Sequence, residues 1–188
     1  MGPNLCKEET QVRKFLLLTL LVVLFFTMAA GATVINFDDL GDGVVPDGYQ
    51  GVTWFGQWTN YTEAQDPYNP HSPPGRVYDG VNDGMFQFGS AVEFDGAWFA
   101  GHEDATVQFQ GYLNGSLVFT SDILAPSNVP TFLSSGYAGM VDTIHVLSPR
   151  PDFFIMDDVT YNSVPEPGSL LLMGTGIAGL AGYIRRKF

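Results

Sequence analysis

Four aspartates near the two ends of the central part of the chain have the residue type and placement of a calcium site. Asp38 and Asp39 follow the apolar run that opens this part, and Asp157 and Asp158 lie within the apolar run that closes it. Strand alternation places a carboxylate on each apolar face, where a buried charge must be compensated. Structural Ca²⁺, a hard cation that takes several oxygen ligands, would supply that compensation. The alternative is that these acids lie at strand ends, where they accept backbone hydrogen bonds or face water.

Tryptophans form the second group that could bind a ligand. Trp54 and Trp58 occur in one apolar run, and Trp98 with Phe99 presents rings to both faces of another. An exposed ring could stack on a sugar, so Trp54, Trp58 and Trp98 are candidate glycan-stacking residues. The alternative is packing in the core.

The sequence carries no recognisable catalytic constellation. It has no G-x-S-x-G nucleophile elbow, and His102-Glu103 lacks the second histidine of a zinc protease, because Thr106 holds that position. With so many acids in the chain, some carboxylate pair will fall at a working distance for sugar hydrolysis by chance. We therefore expect no enzymatic activity.

Charge excludes one class of partner and disfavours another. The chain has 188 residues with a net charge of -12, and residues 33–164 contain 17 acids against two bases, Arg76 and Arg150, for a formal charge of -15. Such a segment repels nucleic acid. Direct binding of an anionic polysaccharide, without bridging cations, is also disfavoured.

Alternating apolar and polar residues dominate the central segment and predict short strands. Asn114-Gly115 separates two alternating runs and predicts a tight hairpin, because both residues tolerate positive φ. The proline-rich stretch 66–76 predicts a long loop outside any sheet. The strand candidates are residues 34–37, 51–58, 85–88, 91–94, 97–100, 106–113, 117–120, 141–147 and 153–161. No 3.6-residue period competes with them, so the pattern predicts an all-β fold, an antiparallel β-sandwich of the jelly-roll type.

The first 32 residues have the order of a secretory signal peptide. A basic segment is followed by the charge-free apolar run 15–28 and by the small residues Ala30 and Ala32, which suit signal peptidase. We expect cleavage after Ala32; the alternative is an uncleaved anchor helix, for which the apolar run is short. Because the one cysteine, Cys6, lies in the signal, the mature chain would have no thiol.

The last 24 residues combine three features in a fixed order. Pro165 and Pro167 disfavour helix around Glu166, so this tripeptide stays extended before the apolar, glycine-rich run 170–184. That run predicts a short membrane helix, and the basic residues at its end would stay in the cytoplasm. Those basic residues are Arg185, Arg186 and Lys187.

This tail resembles the PEP-CTERM sorting signal, which is found on exported proteins of bacteria that secrete extracellular polysaccharide. The resemblance implies that an exosortase, a membrane-embedded enzyme, recognises Pro165, Glu166 and Pro167. It also implies that Arg185, Arg186 and Lys187 act as the stop-transfer cap. The alternative is a plain C-terminal membrane anchor.

The central segment resembles carbohydrate-binding jelly rolls at residues 37–40, 111–115 and 156–159. Such domains often hold a structural calcium near their first and last strands. The resemblance implies a carbohydrate-associated role and adds to the calcium prediction.

These observations predict three parts: a signal peptide at 1–32, an extracytoplasmic β-sandwich at 33–164, and a sorting signal with a transmembrane helix at 165–188. Signal and membrane helices thus flank the sandwich. We expect a precursor held in the inner membrane and then sent to the cell surface or the medium. The predicted function is that of a non-enzymatic, structural or glycan-associated component of the extracellular polysaccharide matrix. A small calcium-dependent glycan-active enzyme is the alternative.

Overall fold

The computed structural model describes residues 31–80 and 84–163, together with residues 174, 176, 177, 179 and 182 of the tail. The predicted signal peptide therefore lies outside the described residues except for its last two positions, and the predicted membrane helix lies mostly outside them. The five described tail residues are helical. Among the residues that the structure describes, no helix has the length and apolar character needed to cross a membrane.

Strands pair antiparallel throughout the described part of the domain, which confirms the all-β class. They form one connected sheet in the order β2-β4-β5-β11-β6-β10-β7-β8, with β1 on β11 and with β3 and β9 on β6. Short 3₁₀ turns cover Tyr49–Gly51 and Pro151–Phe153. The strands are β1 Ala32–Ile35, β2 Gly43–Val44, β3 Val52–Phe55, β4 Trp58–Asn60, β5 Val77–Asp79, β6 Gly84–Gly101, β7 Gln108–Leu113, β8 Ser116–Thr120, β9 Thr131–Ser134, β10 Met140–Leu147 and β11 Phe154–Ser163.

The long strand β6 turns this sheet into two layers. Its first part pairs with β3 and β10, and its last part pairs with β9 and β11. Register places Phe109 of β7 level with Gly84, at the start of β6, because Val146 of β10 pairs with both. Yet the Phe109 ring lies 5.0 Å from the ring of Phe94 and 5.5 Å from that of Phe99. Since a straight strand would carry Phe94 more than about 30 Å away from that level, β6 must fold back over the core as a β-sandwich requires.

The interior between the layers is rich in aromatic rings. Phe86, Phe94, Phe99, Phe109 and Phe154 are each at most 1% exposed. Their ring centroids lie within about 5 to 6 Å of a neighbour, the usual separation of packed aromatic pairs. This packing gives the strands that carry the candidate site a rigid support.

The predicted hairpin turn and the predicted proline-rich loop are both confirmed. Asn114 and Gly115 adopt φ values of 51° and 76° between β7 and β8, the pair of positive values that a type I′ hairpin requires. Residues 66–76 lie in the long connection between β4 and β5 and join no strand, as predicted.

The predicted face of the last strand needs a correction. Regular alternation predicted that Ile155, Asp157 and Val159 share one apolar face. In the structure, Val159 packs in the core together with Met156, and Asp157 does not. Asp158 has a φ of 47°, and the register with β6 shifts after Asp157, so the alternation changes phase at this point. Asp157 is fully buried as expected, yet on the face opposite Met156.

The predicted face of the first strand is also wrong. β1 ends at Ile35, and Phe37 takes a φ of 60°, so the run does not continue as a strand through Asp39. Asp39 is consequently exposed rather than aligned with the buried side chains of Ile35 and Phe37.

Candidate functional site

Two aspartates of β11 hold the β4–β5 connection against the sheet. The backbone N–H of Ser72 donates to Asp157 Oδ2 at 2.8 Å, and the Ser72 hydroxyl donates to Asp158 Oδ1 at 2.8 Å. The N–H of Asp158 donates to Asp157 Oδ1 at 2.7 Å. We call Asp157, Asp158, Ser72 and His71 the acid clamp, because they fix the middle of the connection.

His71 completes the clamp from its exposed side. Its Nδ1 lies 2.5 Å from Asp158 Oδ2, where the imidazole donates to the carboxylate. The same ring stacks on Trp98 with a centroid separation of 3.6 Å and an interplanar angle of 12°. Trp98 is the register partner of Asp157, so the loop covers both residues on the outer face of the sheet. One face of the Trp98 ring is therefore occupied by His71 rather than open to a ligand.

The clamp contains a carboxylate with a strongly perturbed acidity. Burial raises the pKa of Asp157 to about 7, hydrogen bonds from Ser72 and Asp158 oppose this, and the nearby charges of Asp158 and Asp38 add to it. A raised pKa is typical of catalytic acids. However, Asp157 has no exposed surface and its two oxygens accept protein N–H groups, so no substrate can reach it in this conformation.

This acidity gives a pH-dependent stability. Between about pH 4 and about pH 7 the folded chain keeps a proton on Asp157 that the unfolded chain has lost, so this group lowers stability as the pH rises through that range. The loss of folding free energy caused by Asp157 is at most about 4 kcal/mol above pH 7, and it vanishes below pH 4. Urea unfolding can measure the free energy of unfolding at about pH 4 and at about pH 8. The difference between the two values should be smaller for Asp157→Asn than for the wild type.

Asp122→Asn is the matched control for that comparison. Asp122 is exposed, so its loss should leave the pH dependence as it is in the wild type. Equal pH dependence in the wild type and Asp157→Asn would show that burial of Asp157 does not set its acidity.

The other predicted calcium ligands are occupied by protein donors. The N–H of Gly75 donates to Asp38 Oδ1 at 2.9 Å, and the Tyr49 hydroxyl donates to Asp39. Within residues 31–80 and 84–163, no group of three or more His, Cys, Asp or Glu side chains is arranged to hold a metal ion. The hydrogen bonds favour the alternative weighed from the sequence over the calcium site, and chelation decides between the two.

Chelation tests the calcium prediction directly. Because hydrogen bonds already reach all four acids, we expect the melting temperature of the exported chain to be the same in EDTA and in excess Ca²⁺. A melting temperature that falls in EDTA and recovers with Ca²⁺, but not with Mg²⁺, would establish the calcium site instead.

The glycan-stacking role predicted for Trp54 and Trp58 is wrong, because both rings are buried. Trp54 is 7% exposed and Trp58 is 1% exposed, and their rings pack edge to face at 6.0 Å. Their indole N–H groups donate to the backbone carbonyls of Tyr49 and Met85, both at 3.2 Å. Neither ring can meet a sugar, so both belong to the core-packing alternative.

A cleft of about 320 Å³ opens beside the acid clamp. Tyrosines from the β4–β5 connection and from β5 form its walls, together with one amide and one carboxylate, while its apolar part comes from the start of β11. We call it the tyrosine cleft; its lining residues are Tyr61, Gln65, Tyr68, Arg76, Tyr78, Asp152, Phe154 and Ile155. Aromatic faces combined with a few hydrogen-bonding groups are the usual lining of a small-molecule or sugar site.

Arg76 ties the wall of the cleft together. It is 1% exposed, its Nη1 donates to the carbonyl of Tyr61 at 3.3 Å, and its Nη2 donates to the carbonyl of Glu63. The guanidinium also lies 5.1 Å from the centroid of the Tyr61 ring. Burial lowers the pKa of Arg76, and the charge of Asp157 acts in the opposite direction, so clamp and cleft are electrostatic neighbours.

Sequence reasoning missed the tyrosine cleft. Its residues come from the connection, from β5, from the 3₁₀ turn before β11 and from the start of β11, and β5 was not among the predicted strands. The only local signal was the proximity of aromatic residues to a proline-rich loop, which does not indicate which rings converge.

The tail matches the PEP-CTERM protein-sorting motif over residues 163–187. This confirms the predicted sorting signal, which marks an exported protein that is membrane-anchored before sorting to the surface and implies an exosortase as its processing enzyme. Most of the motif lies outside the described residues. The recognition role of Pro165, Glu166 and Pro167, and the stop-transfer role of the final basic residues, stay predictions.

The chain is also faintly similar to solved structures of mutant forms of a family 29 carbohydrate-binding module. One is 16% identical, with 73% of this chain and 99% of that chain covered and a TM-score of 0.43. Another is 15% identical, with 71% and 91% covered and the same TM-score of 0.43. No curated protein is significantly similar to the chain in sequence.

Proposed function

We propose that the chain is an exosortase-processed surface protein without catalytic activity, whose jelly-roll-like β-sandwich binds glycan through the tyrosine cleft. In this role it is a glycan-associated component of the extracellular polysaccharide matrix. The sorting motif supports its export and surface display. The observation that carries the glycan-binding part is the convergence of three tyrosines with Gln65 and Asp152 in one cleft.

The lining of the cleft matches the chemistry of a sugar ring. A pyranose has an apolar face of C–H groups that packs on an aromatic ring, and hydroxyls at its edge that donate and accept hydrogen bonds. The phenols, Gln65 and Asp152 supply acceptors and donors around the aromatic walls. A nucleotide would also stack on tyrosine, but its phosphates would meet a domain of charge -15.

Retention on polysaccharide tests this function. The exported chain should be retained on the polysaccharide secreted by the cells that produce it, and Tyr78→Ala should weaken retention about tenfold through loss of one ring contact. Tyr112→Ala is the matched control, because Tyr112 is a half-buried tyrosine of β7 that does not line the cleft.

The same material tests the absence of catalysis. New reducing ends formed in the retained polysaccharide would overturn the non-catalytic part of the proposal and favour the glycan-active enzyme. Equal retention of Tyr78→Ala and the wild type would overturn the assignment of the cleft.

A further inference from the structure

We infer that the tyrosine cleft binds a cationic sugar, an amino sugar whose ammonium group lies between aromatic rings and exposed carboxylates. This inference rests on the proposed glycan-binding function and names the ligand class of that site. Two features of the cleft support it: its exposed charges are acidic, and its walls are aromatic.

Of the two charged residues that line the cleft, the exposed one is acidic. Asp152 is exposed, and beside the cleft the exposed Glu63 accepts a hydrogen bond from the Tyr61 hydroxyl at 3.3 Å. Both carboxylates act on the phenols of the wall. The charge of Glu63 raises the pKa of Tyr61, while burial raises the pKa of Tyr68 and the charge of Asp152 adds to this increase.

Neither carboxylate is neutralised by a cation of the protein. In the described part of the chain, Asp152 and Glu63 take part in no ion pair, whereas the nearby Arg150 pairs with the carboxylate of Asp104. An ammonium group that entered the cleft would therefore be attracted by Asp152 and Glu63 without first breaking an ion pair.

Arg76, the other charged residue of the lining, does not present its cation to a ligand. It is 1% exposed, and its two terminal nitrogens donate to the carbonyls of Tyr61 and Glu63. Acidic neighbours also act on it, because burial lowers the pKa of Arg76 while Asp157 and Asp42 raise it. These acids weaken the repulsion between Arg76 and an ammonium group, which would contact the exposed carboxylate instead.

The aromatic walls favour a cation over a neutral group. The face of an aromatic ring is negative and attracts an ammonium group, so aromatic rings form the usual binding sites for such groups. The Tyr61 ring already has a cation near its face, with the Arg76 guanidinium 5.1 Å from its centroid. Tyr68 and Tyr78 supply two further half-buried rings. A hydroxyl group would gain neither the attraction to a ring face nor the ion pair.

The expected gain is modest, because the carboxylates are exposed. A pair between exposed groups avoids the desolvation cost of a buried charge, but water and salt screen it. Residues 33–164 add a long-range attraction through their formal charge of -15. That attraction acts over the whole surface, so the experiment has to separate it from pairing in the cleft.

Three oligosaccharides of equal length and linkage test the inference, because they differ only in the group at one ring carbon. Oligomers of glucosamine carry an ammonium group there, oligomers of N-acetylglucosamine an acetamide, and oligomers of glucose a hydroxyl. The exported chain should bind the glucosamine oligomer about tenfold more tightly than either neutral oligomer at low salt. High salt should reduce this advantage, because the pairs are exposed.

Asp152→Asn and Asp122→Asn form a matched pair of variants. Each removes the carboxylate of an exposed aspartate, but Asp122 does not line the cleft. Asp152→Asn should weaken binding of the glucosamine oligomer about fivefold more than binding of the neutral oligomers. Asp122→Asn should leave all three affinities close to those of the wild type. The melting temperature of each variant is the control for its fold.

The outcomes separate the inference from the proposed function. Equal or tighter binding of a neutral oligomer, lost in Tyr78→Ala, would overturn the preference for a cationic sugar while leaving glycan binding in the cleft intact. Equal losses in Asp152→Asn and Asp122→Asn would also overturn it, because they would assign the attraction to the charge of the whole domain.

Two further results would count against the inference. Binding of the glucosamine oligomer that persists in Tyr78→Ala would overturn the cleft as its location. Binding of none of the three oligomers would overturn the cationic ligand, and retention on the secreted polysaccharide would then show whether the proposed function stands without it.

Discussion

Replacement of Glu166 by Gln, or of Pro165 and Pro167 together by Ala, is expected to abolish processing of the tail. Proline has no backbone N–H and disfavours helix in the residue before it, so we expect an extended tripeptide whose one charge is the carboxylate between the prolines. An enzyme that grips an extended segment would lose the charge that it recognises in the first variant, and would meet a less rigid segment in the second. The uncut precursor should accumulate in the membrane fraction, as intact mass and a blot of membrane and surface fractions would show.

Two controls make this result specific. Glu103→Gln removes an exposed acid of the domain and should be processed as the wild type is. Cells that lack the exosortase should accumulate the same precursor from the wild-type gene. If the wild-type chain reached the surface in unchanged form in such cells, the assignment of the tail as an exosortase substrate would be wrong.

Gly75→Ala should cost about 3 kcal/mol of folding free energy, because the added methyl group would overlap backbone atoms of a neighbouring segment. A Cβ at Gly75 would lie 2.5 Å from both the carbonyl carbon and the carbonyl oxygen of Phe37, and backbone atoms cannot move aside as a side chain can. The added methyl would push the β4–β5 connection away from the end of β1 and strain the bond from Gly75 N–H to Asp38. Urea unfolding would measure the loss, and glycan binding should fall with it.

Gly89→Ala is the matched control for that variant. Its Cβ would meet only the carbonyl oxygen of Gly51, at the ordinary contact distance of 3.5 Å. Similar unfolding midpoints for the two variants would mean that the connection does not pack closely against Phe37.

The sequence predicted those parts of the fold that depend on neighbouring residues. Asn114-Gly115 specifies its turn through its own φ preferences, so the hairpin and its two strands were found. Gly89-Ser90 and Asp95-Gly96 have the same turn composition, yet β6 continues through both. At Gly96 the reason is tertiary, because φ is 148° and the carbonyl of Leu133 lies where a Cβ would be. A contact with β9 thus decides a position that local composition assigns to a turn.

Two aspartates of the acid clamp could be singled out from the sequence, but neither their partners nor the tyrosine cleft could. Asp157 and Asp158 were singled out correctly as acids in an apolar strand, because their charge conflicts with the strand pattern. Their partners, Ser72 and His71, are more than 80 positions away and follow no pattern that links them to β11. Nothing in the alternation of the last strand indicates the positive φ of Asp158, which changes the phase of the strand so that Val159, rather than Asp157, shares the core face of Met156.

Pairing of β1 with β11 has a consequence for where the two ends of the domain are processed. Ala32 lies directly opposite Asn162, so the chain enters and leaves this antiparallel strand pair at the same end. The predicted signal peptide and the sorting tail are therefore joined to the domain at one end of the pair. Cleavage at either terminus would take place beside the other, on the same side of the sheet.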